Sequence, residues 1–287
     1  MIDEIETERY TFYRYDEHNQ RWYPLPQLKI ESLLGLSGNA LHVLEKRYLR
    51  KDDKGNIIET PEEMFRRVAQ TIASAEILYN QSANPKVMEN KFYRIMTNLE
   101  FLPNSPTLLN AGLKSGQLFC CYVLSVEDTL KGIFENLKET ALIHKSGGGT
   151  GFSFSQIRPE RDSVGIRDSV AGGPVSLIGL FSNAAQYVRQ GGVRCGCNSV
   201  AIDVTHPDIV KFIMAKDDPS NYPNFYISIV VNDSFMEAVE NNTDYELINP
   251  RNSKITEKMN AKYIFDKLVE QAWKTGDPGI IFKDRVN

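Results

Sequence analysis

From about residue 102 onward, short apolar runs of period two alternate with runs of helical period, and this alternation limits the fold more than any other feature of the chain. Strand-like runs fall at residues 118–126 (LFCCYVLSV), 151–157 (GFSFSQI), 198–204, 225–231, 245–248 and 279–282. Helical runs lie between them. Residues 129–144 carry Leu130, Ile133, Phe134, Leu137 and Leu142, and residues 174–189 carry Leu177, Ile178, Phe181, Ala185 and Val188. Further helical runs cover 207–215, 234–241 and 261–275. Strands separated by helices predict an α/β sheet or barrel with parallel pairing. With a strand at 279–282 and no closing helix after it, the unit reads as unfinished.

The preceding segment reads differently. Residues 39–50 place Leu41, Leu44, Tyr48 and Leu49 on one stripe. Thr60-Pro61-Glu62-Glu63 is a helix start, with a hydroxyl N-cap, proline at the first position and acid in the first turn. Met64, Val68, Ile72, Ala75 and Leu78 follow at near-helical spacing, and a third helix over 86–98 carries Val87, Phe92, Ile95 and Met96. The expected organisation is an extended arm over 1–26, an all-helical domain over 27–101 and an α/β region over 102–287.

Composition removes several classes of function. The chain has 287 residues, 41% of them hydrophobic, which is ample for a packed core and excludes a disordered chain or a small disulfide scaffold. A net charge of −4 argues against a protein held on nucleic acid by bulk charge. No apolar run approaches the roughly 18 residues of a membrane span, and the N-terminus does not resemble a signal peptide. A cytoplasmic protein with neither nucleic-acid nor membrane partner is expected.

The four cysteines form two tight pairs, Cys120-Cys121 and Cys195-x-Cys197. Adjacent Cα atoms lie about 3.8 Å apart, below the usual disulfide range of roughly 4.4–6.8 Å, so Cys120 and Cys121 are not expected to bridge. Cys195 and Cys197 lack two further zinc ligands nearby, and no metal site is expected. In a strand from 118 to 126, Cys121 shares a face with Phe119, Val123 and Ser125, whereas Cys120 shares the greasier face with Leu118, Tyr122 and Leu124. Cys121 is thus the candidate for a cleft-facing thiol and Cys120 for a core residue. A buried, inert role for either is the alternative.

Three loops invite a ligand. Residues 145–151 (KSGGGTG) follow a helix and precede a strand, the reverse of a phosphate-binding P-loop, and serve either as a tight turn or as a backbone surface that a ligand can approach closely. Residues 188–198 (VRQGGVRCGCN) combine two arginines with glycines, Gln190 and Asn198, a set suited to an anion and a base edge or, alternatively, to a solvated turn. Residues 158–173 carry Arg158, Arg161 and Arg167 and are long enough to be functional.

Taken in order, PNSPTLLNAG at 103–112, Cys121 with Tyr-Val-Leu after it, SGGGTGFSFS at 146–155 and QGGVR at 190–194 resemble the large catalytic subunit of ribonucleotide reductase. The phrasing is nearest the adenosylcobalamin-dependent class II enzymes, and the resemblance runs from about Leu28 to Asn287. It implies a helical N-terminal domain followed by the first half of a ten-stranded α/β barrel. It also implies that Cys121 is one of two redox cysteines that deliver electrons to the substrate ribose. Thr107, Cys120, Gly148, Gly149 and the backbone at Cys197 would then line the ribonucleotide substrate. A deoxynucleoside triphosphate effector would take Asp128 at its ribose and Arg158 at its phosphates. Arg189, Gln190 and Arg194 would relay effector identity to the substrate, and helices 129–144 and 174–189 would form a homodimer contact.

The same resemblance exposes what the sequence lacks. The family's thiyl cysteine, amide and carboxylate lie in an Asn-x-Cys-x-Glu motif, which is not found here, nor are the second redox cysteine and a C-terminal shuttle pair. The chain is therefore expected to be an N-terminal portion that needs a C-terminal half, adenosylcobalamin and a dithiol reductant such as thioredoxin. A free-standing deoxynucleotide-binding dimer and an inactive fragment are the alternatives. Cys195 and Cys197 stand where the family more often has small residues.

Overall fold

The computed structural model describes residues 13–16, 21–24, 34–114, 116–165, 170–190 and 194–286. It divides into two compact units, residues 1–118 and 119–287.

Part of the expected arm is a hairpin, β1 (Tyr13–Asp16) against β2 (Arg21–Pro24); the rest of that arm lies outside the described residues. Helices α1 (Gly38–Arg47), α2 (Pro61–Ala73), α3 (Glu76–Tyr79), α4 (Pro85–Thr97) and α5 (Ser105–Asn110) complete the first unit. The start of α2 is as the sequence predicts: Glu63 N–H donates to Thr60 Oγ1, and Thr60 N–H donates to Glu63 Oε2, a reciprocal capping box. Met64, Phe65, Val68 and Ala69 of α2 bury against Leu49, Met96, Leu108 and Ala111. Because Leu108 joins that core, α5 belongs with the helices, and the division falls after Leu118 rather than at 101.

The second unit is built on five parallel strands. β3 (Cys121–Ser125), β4 (Gly149–Ser153), β7 (Asn198–Asp203), β8 (Phe225–Val231) and β11 (Gly279–Phe282) are neighbours in chain order. That order is how a barrel is wound, and it differs from a doubly wound sheet, where the order reverses at a switch point. Between them run α6 (Leu130–Ser146), α7 (Gly173–Tyr187), the short pair β5 (Arg189–Gln190) and β6 (Arg194–Cys195), and α8 (Ile209–Ile213). The last crossover contains α9 (Asp233–Glu240), a hairpin of β9 (Asp244–Asn249) and β10 (Lys254–Asn260), and α10 (Ala261–Thr275). A short helix, α11 (Lys283–Val286), follows β11, where the sequence pattern predicts none.

Strand alternation gives the sheet two unlike faces. Phe152, Val200, Ile202, Phe225, Ile227 and Ile229 are buried on one, joined by Phe154, Phe181 of α7 and Phe212 of α8. Phe152 packs on Phe181 with ring centroids 4.8 Å apart, and burial of each such side chain contributes about 1.5–3 kcal/mol. The opposite face carries mostly small residues, Cys121, Ser125, Gly149, Gly151, Ser153, Ser199, Ala201 and Ser228, with the exposed Val123 and Tyr226 among them. Among the described residues no helix is long and apolar enough to cross a membrane.

Candidate active site

Cys121 opens β3 on the small-residue face and is exposed, as its strand phase predicts. Cys120 lies just before the strand and is half-buried rather than in the core. The two Sγ atoms are 3.3 Å apart, and Cys120, Cys121 and Cys197 are not in disulfides. The hydrogen bond with the Cys120 thiol pushes the Cys121 thiol above its ordinary pKa, with partial burial adding to the effect.

The glycine loop closes on this thiol pair. Gly149 is the register partner of Cys121, and its N–H donates to the Cys120 carbonyl at 2.6 Å. A Cβ on Gly148 would lie 2.7 Å from both the Tyr122 ring and Ile143, so only glycine fits there. Thr150 N–H donates to the carbonyl of Cys197 at 3.2 Å. Cys120, Cys121, Gly148, Gly149 and Cys197 thus meet at the N-terminal ends of β3, β4 and β7.

Beneath them lies a buried polar group that no sequence motif marks. His144, on the last turn of α6, is fully buried; its Nε2 is 3.3 Å from Thr150 Oγ1, which donates to Asn198 Oδ1 at 2.7 Å. Burial lowers the His144 pKa, with the Cys197 backbone and Asn198 opposing. Asn136, Thr140 and His144, at spacing four, form a polar stripe down the buried side of α6. That spacing was visible in the sequence, but it is masked by apolar neighbours on the same helix.

Thr107 lies in the first unit. Its hydroxyl is buried, 2.7 Å from Asn104 Oδ1 and 3.0 Å from the Leu118 carbonyl, so its single hydrogen already has acceptors in that unit. Arg189, Gln190 and Arg194 lie on the β5–β6 pair, where Gln190 faces Arg194 in register. Their side chains, and that of Cys195, are outside the described residues, as are residues 191–193 and Arg167.

The remaining candidates sit at the other end of the sheet. Asp128 follows β3 and Arg158 follows β4; Arg158 Nε donates to Asp128 Oδ2 at 2.6 Å, and its Nη1 donates to the Ser163 carbonyl at 3.1 Å. His206 steadies the base of this loop. Its Nε2–H donates to the Ile157 carbonyl at 2.8 Å, and its Nδ1 accepts from Asp208 N–H at 3.0 Å. That arrangement requires a neutral ring, and burial lowers the His206 pKa accordingly. At about 3.3 Å per strand residue, the Cys121 and Asp128 ends are roughly 20 Å apart.

Two family models cover most of the chain. Ribonucleotide reductase, all-alpha domain, matches residues 34–116, and ribonucleotide reductase, barrel domain, matches residues 119–287. The chain belongs to the ribonucleotide reductase family. It is 42% identical to the vitamin B12-dependent ribonucleoside-diphosphate reductase of Thermoplasma acidophilum, over 88% of this chain and 40% of that protein. It is also 42% identical to the protein of the same name from Mycobacterium tuberculosis, over 91% of this chain and 38% of the relative. The ribonucleoside-diphosphate reductase subunit alpha of Helicobacter pylori is 28% identical, over 91% of this chain and 36% of the relative. The chain thus spans about two fifths of the length of these relatives. The two reductase domains agree with the helical unit and the α/β unit, and the barrel description agrees with strands wound in chain order.

Proposed function

We propose that this chain supplies the substrate thiol and the effector platform of a ribonucleotide reductase, and that it reduces ribonucleoside diphosphates or triphosphates only together with further polypeptide. The observation that carries this reading is Cys121, exposed on a face made mostly of small residues and paired in register with Gly149. In the overall reaction two thiols become a disulfide, the 2′ hydroxyl leaves as water, and the ribose 2′ carbon gains hydrogen. Cys121 is one of those thiols. Cys120 is too close in sequence to bridge without strain and the backbone at Cys197 is given to the substrate, so the second thiol would come from further polypeptide, and a dithiol reductant would restore the pair.

The glycine loop gives the ribonucleotide close access to backbone N–H groups beside Cys121. The opposite end takes a deoxynucleoside triphosphate: Asp128 accepts from ribose hydroxyls and Arg158 forks a phosphate. Helix α7 links the two ends. Its 15 residues rise about 22 Å, from the loop that follows β4 to the β5–β6 pair that precedes β7. The exposed Leu130, Phe134 and Leu142 of α6 would be covered in a homodimer.

Adenosylcobalamin, which would supply the radical, is proposed because two of the relatives are named as dependent on vitamin B12. Among the described residues no group of three or more His, Cys, Asp or Glu side chains could hold a metal ion.

The test is a reduction assay with a ribonucleotide, a matching effector, a dithiol and adenosylcobalamin, with and without a polypeptide carrying Asn-x-Cys-x-Glu. Activity in the mixture alone, abolished by Cys121→Ser, is expected. Association of the two polypeptides without activity would overturn the reading and favour a nucleotide-binding module.

A further inference from the structure

The neck of the loop between β4 and α7 is tied by a residue from far along the chain. Arg161 N–H donates to the Ala171 carbonyl and Ala171 N–H to the Asp162 carbonyl, both at 2.9 Å, which closes the neck. Between those bonds, the Asp162 carboxylate receives four donors. Arg251 forks it, with Nε to Oδ2 at 2.7 Å and Nη2 to Oδ1 at 2.9 Å. Asn249 Nδ2 adds a bond at 3.1 Å to Oδ2, and Ser163 N–H adds one at 2.9 Å to Oδ1.

The donors themselves are fixed. Asn249 is buried at the end of β9, and its Oδ1 accepts from Arg251 N–H at 2.9 Å. Ile248 N–H donates to the Thr205 carbonyl at 2.7 Å, anchoring β9 to the segment after β7. Exposed ion pairs contribute little, but here the Asp162 side chain is only 12% exposed and the fork is bidentate, the arrangement in which such a pair counts. The fork also holds the Asp162 carboxyl well below the usual carboxylate range.

We propose that Arg251, through Asp162, is a positioning residue that fixes the neck of the effector loop and so sets the affinity for a deoxynucleoside triphosphate. The assignment rests on the effector reading above. Arg158, four positions before Asp162, must present its guanidinium both to Asp128 and to the incoming phosphates, and a neck free to rotate would carry it away. The β9–β10 hairpin thereby becomes part of the nucleotide site without touching the nucleotide.

The experiment measures dATP and dTTP binding by calorimetry, and backbone amide exchange at Arg161 and Ala171, on the full chain and on Arg251→Met, Arg251→Lys and Asp128→Ala. Met keeps the length and removes the charge; Lys keeps the charge and removes the fork. Both Arg251 variants should bind at least about tenfold more weakly, the equivalent of one charge-assisted hydrogen bond, with faster exchange at both amides. Parent affinity in either variant, or weaker binding with unchanged exchange, would overturn the assignment. If Asp128→Ala also binds like the parent, the effector reading fails and the nucleotide part of the proposal falls with it. Amide exchange then still reports whether Arg251 braces the neck.

Discussion

Gly196 lies against the imidazole of His144 so closely that a Cβ on Gly196 would sit 2.3 Å from His144 Nδ1. This contact places the backbone of residues 196–198, where Thr150 holds the Cys197 carbonyl, on a buried side chain of α6. Gly196→Ala should therefore destabilise the second unit by about 1–3 kcal/mol, the usual result of overpacking. In a His144→Ala background the same substitution should cost less, because the ring is gone. Urea unfolding of the four proteins of the cycle measures the difference; equal costs in both backgrounds would deny the contact.

Acid should weaken the fold before carboxylates titrate. His144 and His206 both have folded pKa values lowered by burial, so between pH 7 and 5 the unfolded chain binds more protons than the native one. Stability is complete above the unfolded histidine pKa of about 6.5 and falls as pH drops toward the folded values, by up to roughly 1.4 kcal/mol per pH unit per histidine. Urea midpoints across this range should decline, and His206→Gln should flatten the decline. A midpoint constant from pH 7 to 5 would contradict the neutral-ring assignment.

The Cys121 thiol is held protonated chiefly by its neighbour. Replacing Cys120 by alanine removes the hydrogen bond that raises the Cys121 pKa, so Cys121 should alkylate faster at pH 8. Iodoacetamide kinetics with mass-spectrometric assignment measure this. Slower alkylation of Cys121 in Cys120→Ala would show that the pair acts in the opposite sense.

In the first unit, Arg67 forks Glu59 at 2.6 and 2.9 Å and donates to the carbonyls of Ala111 and Leu108 at 2.7 and 3.2 Å. Both side chains are nearly buried. Arg67→Met would strand the Glu59 carboxylate and the C-terminal carbonyls of α5, at a cost of about 3–5 kcal/mol. Thermal unfolding followed by circular dichroism checks it, and a loss under 1 kcal/mol would contradict the role given to the fork.

Much of this architecture is legible in the sequence because local and tertiary signals agree. Thr60-Pro61-Glu62-Glu63 names its own capping box, and the phase of 118–126 puts Cys121 on the open face. The elements missed are those whose stability comes from elsewhere. β10 over Lys254–Asn260 is mostly polar and exposed, so it shows no apolar alternation and exists by pairing with β9. The six-residue α5 is too short for a helical period; it is set by the Asn104 cap and by Arg67. At the sites, the glycine and cysteine positions are readable from motif order, whereas His144, His206 and Arg251 gain their roles from partners 6 to 89 residues away. Only the spacing of Asn136, Thr140 and His144 leaves a local trace, and the apolar neighbours on the same helix hide it.

Two nucleotide sites at opposite ends of one parallel sheet should bind independently of each other. Equilibrium binding of a labelled deoxynucleoside triphosphate to the chain, with ribonucleoside diphosphate as competitor, tests it most directly. Asp128→Ala and Arg158→Ala should abolish binding, Cys121→Ser should leave it unchanged, and the diphosphate should not displace the label. Displacement by the diphosphate, or binding lost in Cys121→Ser and kept in Asp128→Ala, would contradict it.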